Sequence, residues 1–310
     1  MSYKREIDIL KEANLFRERF IYDDEIKDLA SNDYLNLASK KSSLKKTYKY
    51  IKGYSYFAPK ASQLINGYHQ VHQEFEEKVA KLNNFESAIV VGSGFLANCG
   101  VIEALIRRDD FLLIDEEYHA SGMVATKMLD KRFSLFKHNS VEDLKDKLSK
   151  IDAKRVVVAI EGVYSMSGEL AKREFFELAK ERGFYLLIDE AHSNGVIGDR
   201  LLGILDYYNI DISDNFIKIG TLGKAYGSYG AYILSSKVIR DFLINRSKPI
   251  IYSTAPSIFD IALALINIEY INQNLEKLKR KLNKRRKAVK KIFKKEISSQ
   301  IFTLEIGDNK

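Results

Sequence analysis

Seven short apolar runs, separated by longer amphipathic stretches, constrain this chain more than any other feature. They cover residues 88–91, 111–114, 133–136, 156–160, 184–188, 216–219 and 231–234. Their apolarity is continuous rather than alternating, as required of strands buried on both faces in a mostly parallel sheet. The segments between them, such as 169–182, carry helical periodicity. The pattern therefore predicts an α/β class: a large domain built on a seven-stranded, mostly parallel sheet covered by helices. Residues 1–46 read as a helical and then loop-like N-terminal segment. Residues 258–295 read as a long helix, and 301–306 alternate apolar and polar side chains like a half-buried strand. A length of 310 residues suits two domains or one large unit with a smaller attachment. The expected division is 1–46, 47–250 for the large domain, and 251–310 for part of a small α+β domain.

Charge narrows the function classes. The formal net charge is +8, but twelve Lys/Arg and no acid fall between Lys277 and Lys295, and the remainder is mildly acidic. Leu278, Leu282, Val289 and Ile292 recur there at helical spacing, so the segment reads as an amphipathic helix with a solvated basic face rather than a nucleic-acid or membrane contact. A single cysteine, Cys99, excludes a disulfide framework and suits a reducing compartment. No apolar run is long enough to span a membrane and the start MSYKREIDIL has no signal-peptide core, so a cytoplasmic protein is expected. The histidines show no metal-ligand spacing, and no metal is expected.

In open α/β sheets ligands bind beyond the carboxyl ends of the strands, which directs attention to four places. Gly92-Ser93-Gly94-Phe95-Leu96-Ala97 follows a strand and opens a helix, where backbone N–H groups can close on a phosphate. It formally matches a dinucleotide fingerprint, with Asp115 near the position of a ribose-binding acid, so a nicotinamide-dependent oxidoreductase is the competing reading. Asp189-Glu190-Ala191-His192 ends another strand; the same letters name a helicase motif, but no P-loop accompanies them here. Thr221-Leu222-Gly223-Lys224 puts a lysine at a strand's carboxyl end beside glycines, a setting that lowers an amine's pKa by desolvation. Tyr118-His119-Ala120-Ser121 supplies an imidazole. A phosphate cradle, an acid, an imidazole and a nucleophilic lysine together fit pyridoxal-phosphate chemistry better than any other.

With these residues in place, the sequence resembles the α-oxoamine synthase family of fold-type-I pyridoxal-phosphate enzymes, which implies an aminotransferase-like large domain. The match runs in family order through Ser31-Asn32-Asp33-Tyr34-Leu35, Ser93-Gly94-Phe95-Leu96-Ala97-Asn98, His119-Ala120-Ser121, Glu161-Gly162-Val163-Tyr164-Ser165-Met166, Asp189-Glu190-Ala191-His192, Gly220-Thr221-Leu222-Gly223-Lys224 and Ile251-Tyr252-Ser253-Thr254. The resemblance implies pyridoxal 5'-phosphate as cofactor, Lys224 as its covalent anchor and Asp189 as the partner of its ring nitrogen. It implies His119 stacked on the ring, His192 and Ser165 near the phenolic oxygen, and the backbone at Gly94-Phe95 with Thr221 on the phosphate. Thr254 is expected to reach the phosphate from the second subunit of a homodimer, and Arg17 and Asn32 to contact substrate.

Gly227-Ser228-Tyr229-Gly230-Ala231-Tyr232 and Ile251–Thr254 look most like the members that condense L-alanine with a pimeloyl thioester carried by CoA or an acyl carrier protein. Neither nucleic acid nor membrane is implied as a partner. Where the family commonly has Ser-Met-Asp-Gly-Asp, this chain has Ser165-Met166-Ser167-Gly168-Glu169. Family members continue past the segment resembling Ile306-Gly307-Asp308-Asn309 into the rest of a small domain carrying a carboxylate-gripping arginine. Residues 251–310 are therefore expected to be an incomplete small domain, with turnover dependent on that missing part.

Overall fold

The computed structural model describes residues 2–23 and 25–304. It divides into a main unit, Asn32–Phe302, and a second unit drawn from the two chain ends. In the second unit the helix α1 (Tyr3–Glu12) is capped by the Ser2 side chain and followed by an irregular, exposed segment that includes Arg17.

The main unit begins with α2 (Lys41–Ile51), a short π-helical turn at Gln63–Gly67 and α3 (Gln70–Asn83). Strands and helices then alternate: β1 (Ser87–Val91), α4 (Gly94–Leu105), β2 (Asp110–Asp115), α5 (Ala120–Thr126), β3 (Phe133–Phe136), α6 (Val141–Leu148), β4 (Arg155–Glu161) and α7 (Glu174–Arg182). There follow β5 (Tyr185–Asp189), α8 (Ile204–Tyr207), β6 (Phe216–Thr221), β7 (Ala231–Ser235), α9 (Lys237–Arg246), α10 (Lys248–Tyr252), α11 (Ile258–Gln273) and α12 (Leu275–Phe293). All seven apolar runs are strands of one sheet, in the order β1-β7-β6-β5-β4-β2-β3. Only β7 runs antiparallel to its neighbours, β1 and β6. The carboxyl ends of β1, β6, β5, β4 and β2 consequently share one edge.

The continuous apolar runs are explained by two cores, one on each face. Successive side chains of a strand point to opposite sides. Val158, Ile160, Leu186, Ile188 and Phe216 join one core with α2, α3, α7 and α11. Val157, Ala159, Leu187, Ile217 and Ile219 join the other with α4 and α5. The same alternation directs Glu161, Asp189 and Thr221 to the α4 side, and Lys218 and Asp115 to the opposite side.

Three expectations about elements change. The helix expected over 169–182 starts at Glu174, because residues 169–171 return along the strand end, with Tyr164 N–H donating to Glu169 O at 2.9 Å and Val163 bridging Leu170. The helix expected over 258–295 is two, broken at Asn274, whose φ of −120° and ψ of 20° leave the helical region. On α12, Leu278 and Leu282 are buried, Val289 is half-buried and Ile292 is 68% exposed, so the packing of the apolar stripe loosens toward the helix end. Residues 301–304 form no strand, and Glu305 and Ile306 of the expected one lie outside the described residues.

Candidate active site

Three strand ends and one helix start converge on the α4 side of the sheet. Glu161 and Asp189 are in-register neighbours at the ends of β4 and β5, both buried. Asn98, one turn into α4, donates from Nδ2 to Asp189 Oδ2 at 2.7 Å, and Tyr118 donates its hydroxyl to Asn98 Oδ1 at 2.6 Å. The Ala191 amide donates to Asp189 Oδ1 at 2.9 Å. The Asp189 carboxyl is thereby aimed rather than loosely placed, with one donor on each oxygen.

The turn after β5 carries His192 against Lys224. Nζ of Lys224 lies 2.5 Å from His192 Nε2, and the Tyr34 hydroxyl lies 2.7 Å from Nδ1. Tyr34 donates to Asn32 Oδ1 at 3.2 Å. With its one hydrogen committed there, Tyr34 accepts from Nδ1–H, which leaves Nε2 to accept from the lysine. Burial, with the lysine's charge second, pushes His192 down to about 3, so the imidazole stays neutral. Burial also lowers the Lys224 ammonium pKa, against the pull of Asp189 and Glu161, and raises Tyr34 to about 12. A partly buried lysine facing a neutral imidazole is an amine that sheds its proton readily.

The backbone is shaped for this contact. Gly195, at φ +78°, lies where a Cβ would be 2.5 Å from Ala225 Cβ, and Gly227, at φ +56°, lies where one would be 2.7 Å from Ala38 N. Asp33 holds the 33–38 turn that Gly227 packs against by accepting from the Leu37 and Ala38 amides at 2.8 and 2.9 Å. Arg285 of α12 also donates to the Tyr34 carbonyl.

The start of α4 forms the cradle. Ser93 caps the helix by accepting from Leu96 N–H at 3.2 Å, leaving the Gly94 and Phe95 amides free of that cap. A Cβ on Gly94 would lie 3.9 Å from Thr221 Cβ, so the glycine opens the space between the helix start and the end of β6. A phosphate placed there meets backbone N–H groups, the helix dipole and the Thr221 hydroxyl. His119 caps α5, its Nδ1 accepting from Ser121 N at 3.2 Å. The Ser165 amide donates to Glu161 Oε2 at 2.9 Å. A phosphorylated pyridine ring fits this donor set: an anion for its nitrogen, an amine for its aldehyde carbon, and a glycine-opened helix start for its phosphate.

Of the residues singled out from sequence, Lys224, Asp189, His192, His119, Ser165, Thr221, Gly94, Phe95 and Asn32 gather at this edge. Thr254 is exposed and pairs with Ser62 instead. Arg17 lies in the terminal unit. Asp115 points to the other face, where it accepts from Tyr164 OH at 2.7 Å and from the Asn139 and Glu117 amides at 2.8 and 2.9 Å. With those partners it is a structural acid, which removes the support for a ribose-binding role. Among the described residues no cluster of His, Cys, Asp or Glu could hold a metal ion, and no helix is long and apolar enough to cross a membrane. A cavity of about 680 Å³ lies elsewhere, lined by Glu76, Phe85 and Arg240 among others and by none of these residues.

The sequence motifs contain Tyr34, Asn98, Tyr118, Glu161 and Glu190 without roles for them, and Lys218, which pairs with Glu190 in the interior, stands in none of them. Lys218 is the legible signal among these, being the only charged residue in its apolar run.

The family model that matches, aminotransferase class I and II, covers residues 24–307. A curated relative, 8-amino-7-oxononanoate synthase of Helicobacter pylori (strain ATCC 700392 / 26695), is 43% identical over 255 residues, 82% of this chain and 68% of that protein. The crystal structure of 8-amino-7-oxononanoate synthase from Francisella tularensis superposes with a TM-score of 0.69 at 28% identity, covering 91% of this chain and 80% of that one. A serine palmitoyltransferase from S. paucimobilis with a bound PLP–myriocin aldimine shares the fold, with a TM-score of 0.79 at 23% identity over 91% of this chain and 74% of that one.

Proposed function

The chain belongs to the aminotransferase class I and II family, and from that premise we propose that it is a pyridoxal-phosphate-dependent acyltransferase joining L-alanine to a pimeloyl thioester. The products would be 8-amino-7-oxononanoate, carbon dioxide and the free thiol of the carrier, a step of biotin synthesis. The observation that carries this reading is the chain of contacts Asn32–Tyr34–His192–Lys224 beside the buried, doubly bonded Asp189. The relatives named for this activity support the choice of substrates.

In this reading Lys224 is the covalent anchor and the base at the amino acid's Cα. Its lowered pKa lets Nζ take that proton and return it, while His192, fixed by Tyr34, holds Nζ in position. Asp189 would accept from the ring N–H and so favour the protonated nitrogen. The Gly94 and Phe95 amides and the Thr221 hydroxyl would hold the phosphate, His119 would cover the ring, and Ser165 with His192 would border its phenolic oxygen. Pyridoxal phosphate supplies an electron-withdrawing ring that spreads the charge left at Cα. Asn32 and Arg17 are assigned to substrate, and Thr254 to a phosphate in the second subunit of a homodimer. Residues 47–250 are assigned as the cofactor-binding domain, 1–46 and 251–310 as contributions to a small domain, and the cytoplasm as the location.

Purified chain with pyridoxal phosphate is incubated with pimeloyl-CoA and L-alanine, glycine or L-serine, and products are identified by mass spectrometry. The reading expects 8-amino-7-oxononanoate from alanine. A product formed from glycine or serine but not from alanine would overturn the substrate assignment.

A further inference from the structure

Glu161 has no task in the mechanism above, yet it is 2% exposed and lies in register with Asp189 on the adjacent strand, on the same face of the sheet. Two carboxyls so placed in a water-poor site do not both ionise at neutral pH. Their hydrogen bonds decide which one carries the charge. Asp189 accepts from two donors, Asn98 Nδ2 and Ala191 N, one on each oxygen. Glu161 accepts from the Ser165 amide on Oε2, with the His119 amide also directed at the carboxyl, yet its Oε1 is buried with no hydrogen-bond partner. An anion with a bare buried oxygen is costly, whereas a proton on that oxygen removes most of the cost.

We propose that Glu161 is a positioning residue of this site: it stands as a neutral carboxyl beside Asp189, leaving Asp189 the single anion on the site floor, while Oε2 latches the Ser165 turn. The proposal rests on the reading of Asp189 as the ring-nitrogen partner. The groups facing Glu161 agree with it. Asp189 on β5 opposes a second negative charge, and Tyr118 and Tyr164 are buried hydroxyls that remain protonated. The charge of Lys224 and the His119 and Ser165 amides favour ionisation but do not prevail. Burial first, and Asp189 second, push Glu161 up to about 8.

The test uses the full chain without cofactor. Infrared pH-difference spectra of the wild type should show a buried carboxylic-acid carbonyl band at pH 7 that disappears with a midpoint near 8 and is missing in Glu161→Gln. In Asp189→Asn, with the neighbouring charge removed, the midpoint should move down by one pH unit or more. With pyridoxal phosphate added, Glu161→Gln, which copies the neutral carboxyl, should bind within threefold of the wild type at pH 7, as read by absorbance titration. Absence of the band in wild type, a midpoint unmoved in Asp189→Asn, or a tenfold loss of binding in folded Glu161→Gln overturns the proposal. Failure of the wild type itself to bind pyridoxal phosphate would instead sink the proposed function, while leaving the infrared result to stand alone.

Discussion

Replacing Lys218 by Met tests whether a buried ion pair braces the turn that carries Asp189 and His192. Lys218 and Glu190 have side chains 1% and 0% exposed, with Nζ 3.5 Å from Glu190 Oε1. The lysine also donates to Asn83 Oδ1 at 2.9 Å and to the Leu202 carbonyl. Glu190 has few alternatives, since its carboxyl fills the space left by two glycines: a Cβ on Gly162 or Gly203 would come within 2.7 and 2.2 Å of Oε2. Deleting one member of such a pair strands the other charge and costs about 3–5 kcal/mol. Here the Ser193 hydroxyl and the Ile204 amide still donate to Glu190, so the lower end, about 3 kcal/mol, is expected. At roughly 2–4 °C per kcal/mol this is a drop of about 6–12 °C in Tm. Urea unfolding followed by circular dichroism reads it as a lower midpoint with an unchanged slope. The double variant Lys218→Met/Glu190→Gln should be more stable than Lys218→Met alone, because no stranded charge remains. A loss under about 1 kcal/mol for the single variant, or costs that simply add in the double, would refute the reasoning.

Two further perturbations follow from the same geometry. Gly203→Ala combines φ +94° with a Cβ 2.2 Å from Glu190 Oε2, whereas Gly183→Ala has φ +72° but open space; thermal melts should show a loss of about 2–5 kcal/mol for the first and about 1 kcal/mol for the second. His192 is held neutral with its pKa lowered to about 3, so the unfolded chain binds the extra proton and this contribution to stability is lost as pH falls from about 6.5 towards 3. The stability advantage of wild type over His192→Asn, measured by urea midpoints from pH 7.5 to 4.5, should narrow with acid. A gap that widens would contradict a neutral His192. His72, also lowered by burial to about 4, titrates in both proteins and cancels in the difference.

How much of this was legible in the residues depended on whether a signal was local. The seven strands were, because a run such as Val156 to Ile160 must be buried on both faces, and the two cores show those residues dividing between them. Asp189, Thr221 and Lys224 were also legible, since each lies just beyond the carboxyl end of such a run. What pairs with them was not. Asn98 reaches Asp189 across 91 positions and Tyr34 reaches His192 across 158, contacts that no spacing rule encodes. Glu190 stood in a motif without a role and Lys218 within the run 216–219; only the folding of β5 beside β6 shows them to be partners. The break at Asn274 escaped because the helical pattern resumes in phase beyond it. Asp115 misled in a specific way: its position at the end of β2 suited a ribose-binding acid, but strand alternation turns it to the far face.

The central claim is that Lys224 is the amine that takes pyridoxal phosphate. Incubation with the cofactor, reduction with borohydride and peptide mapping by mass spectrometry tests it directly. The account predicts one stoichiometric pyridoxyl label on Lys224, abolished in Lys224→Ala and weakened in Asp189→Asn. A label on Lys218 or spread over the exposed lysines of α12, or no label above that of a denatured control, would contradict it.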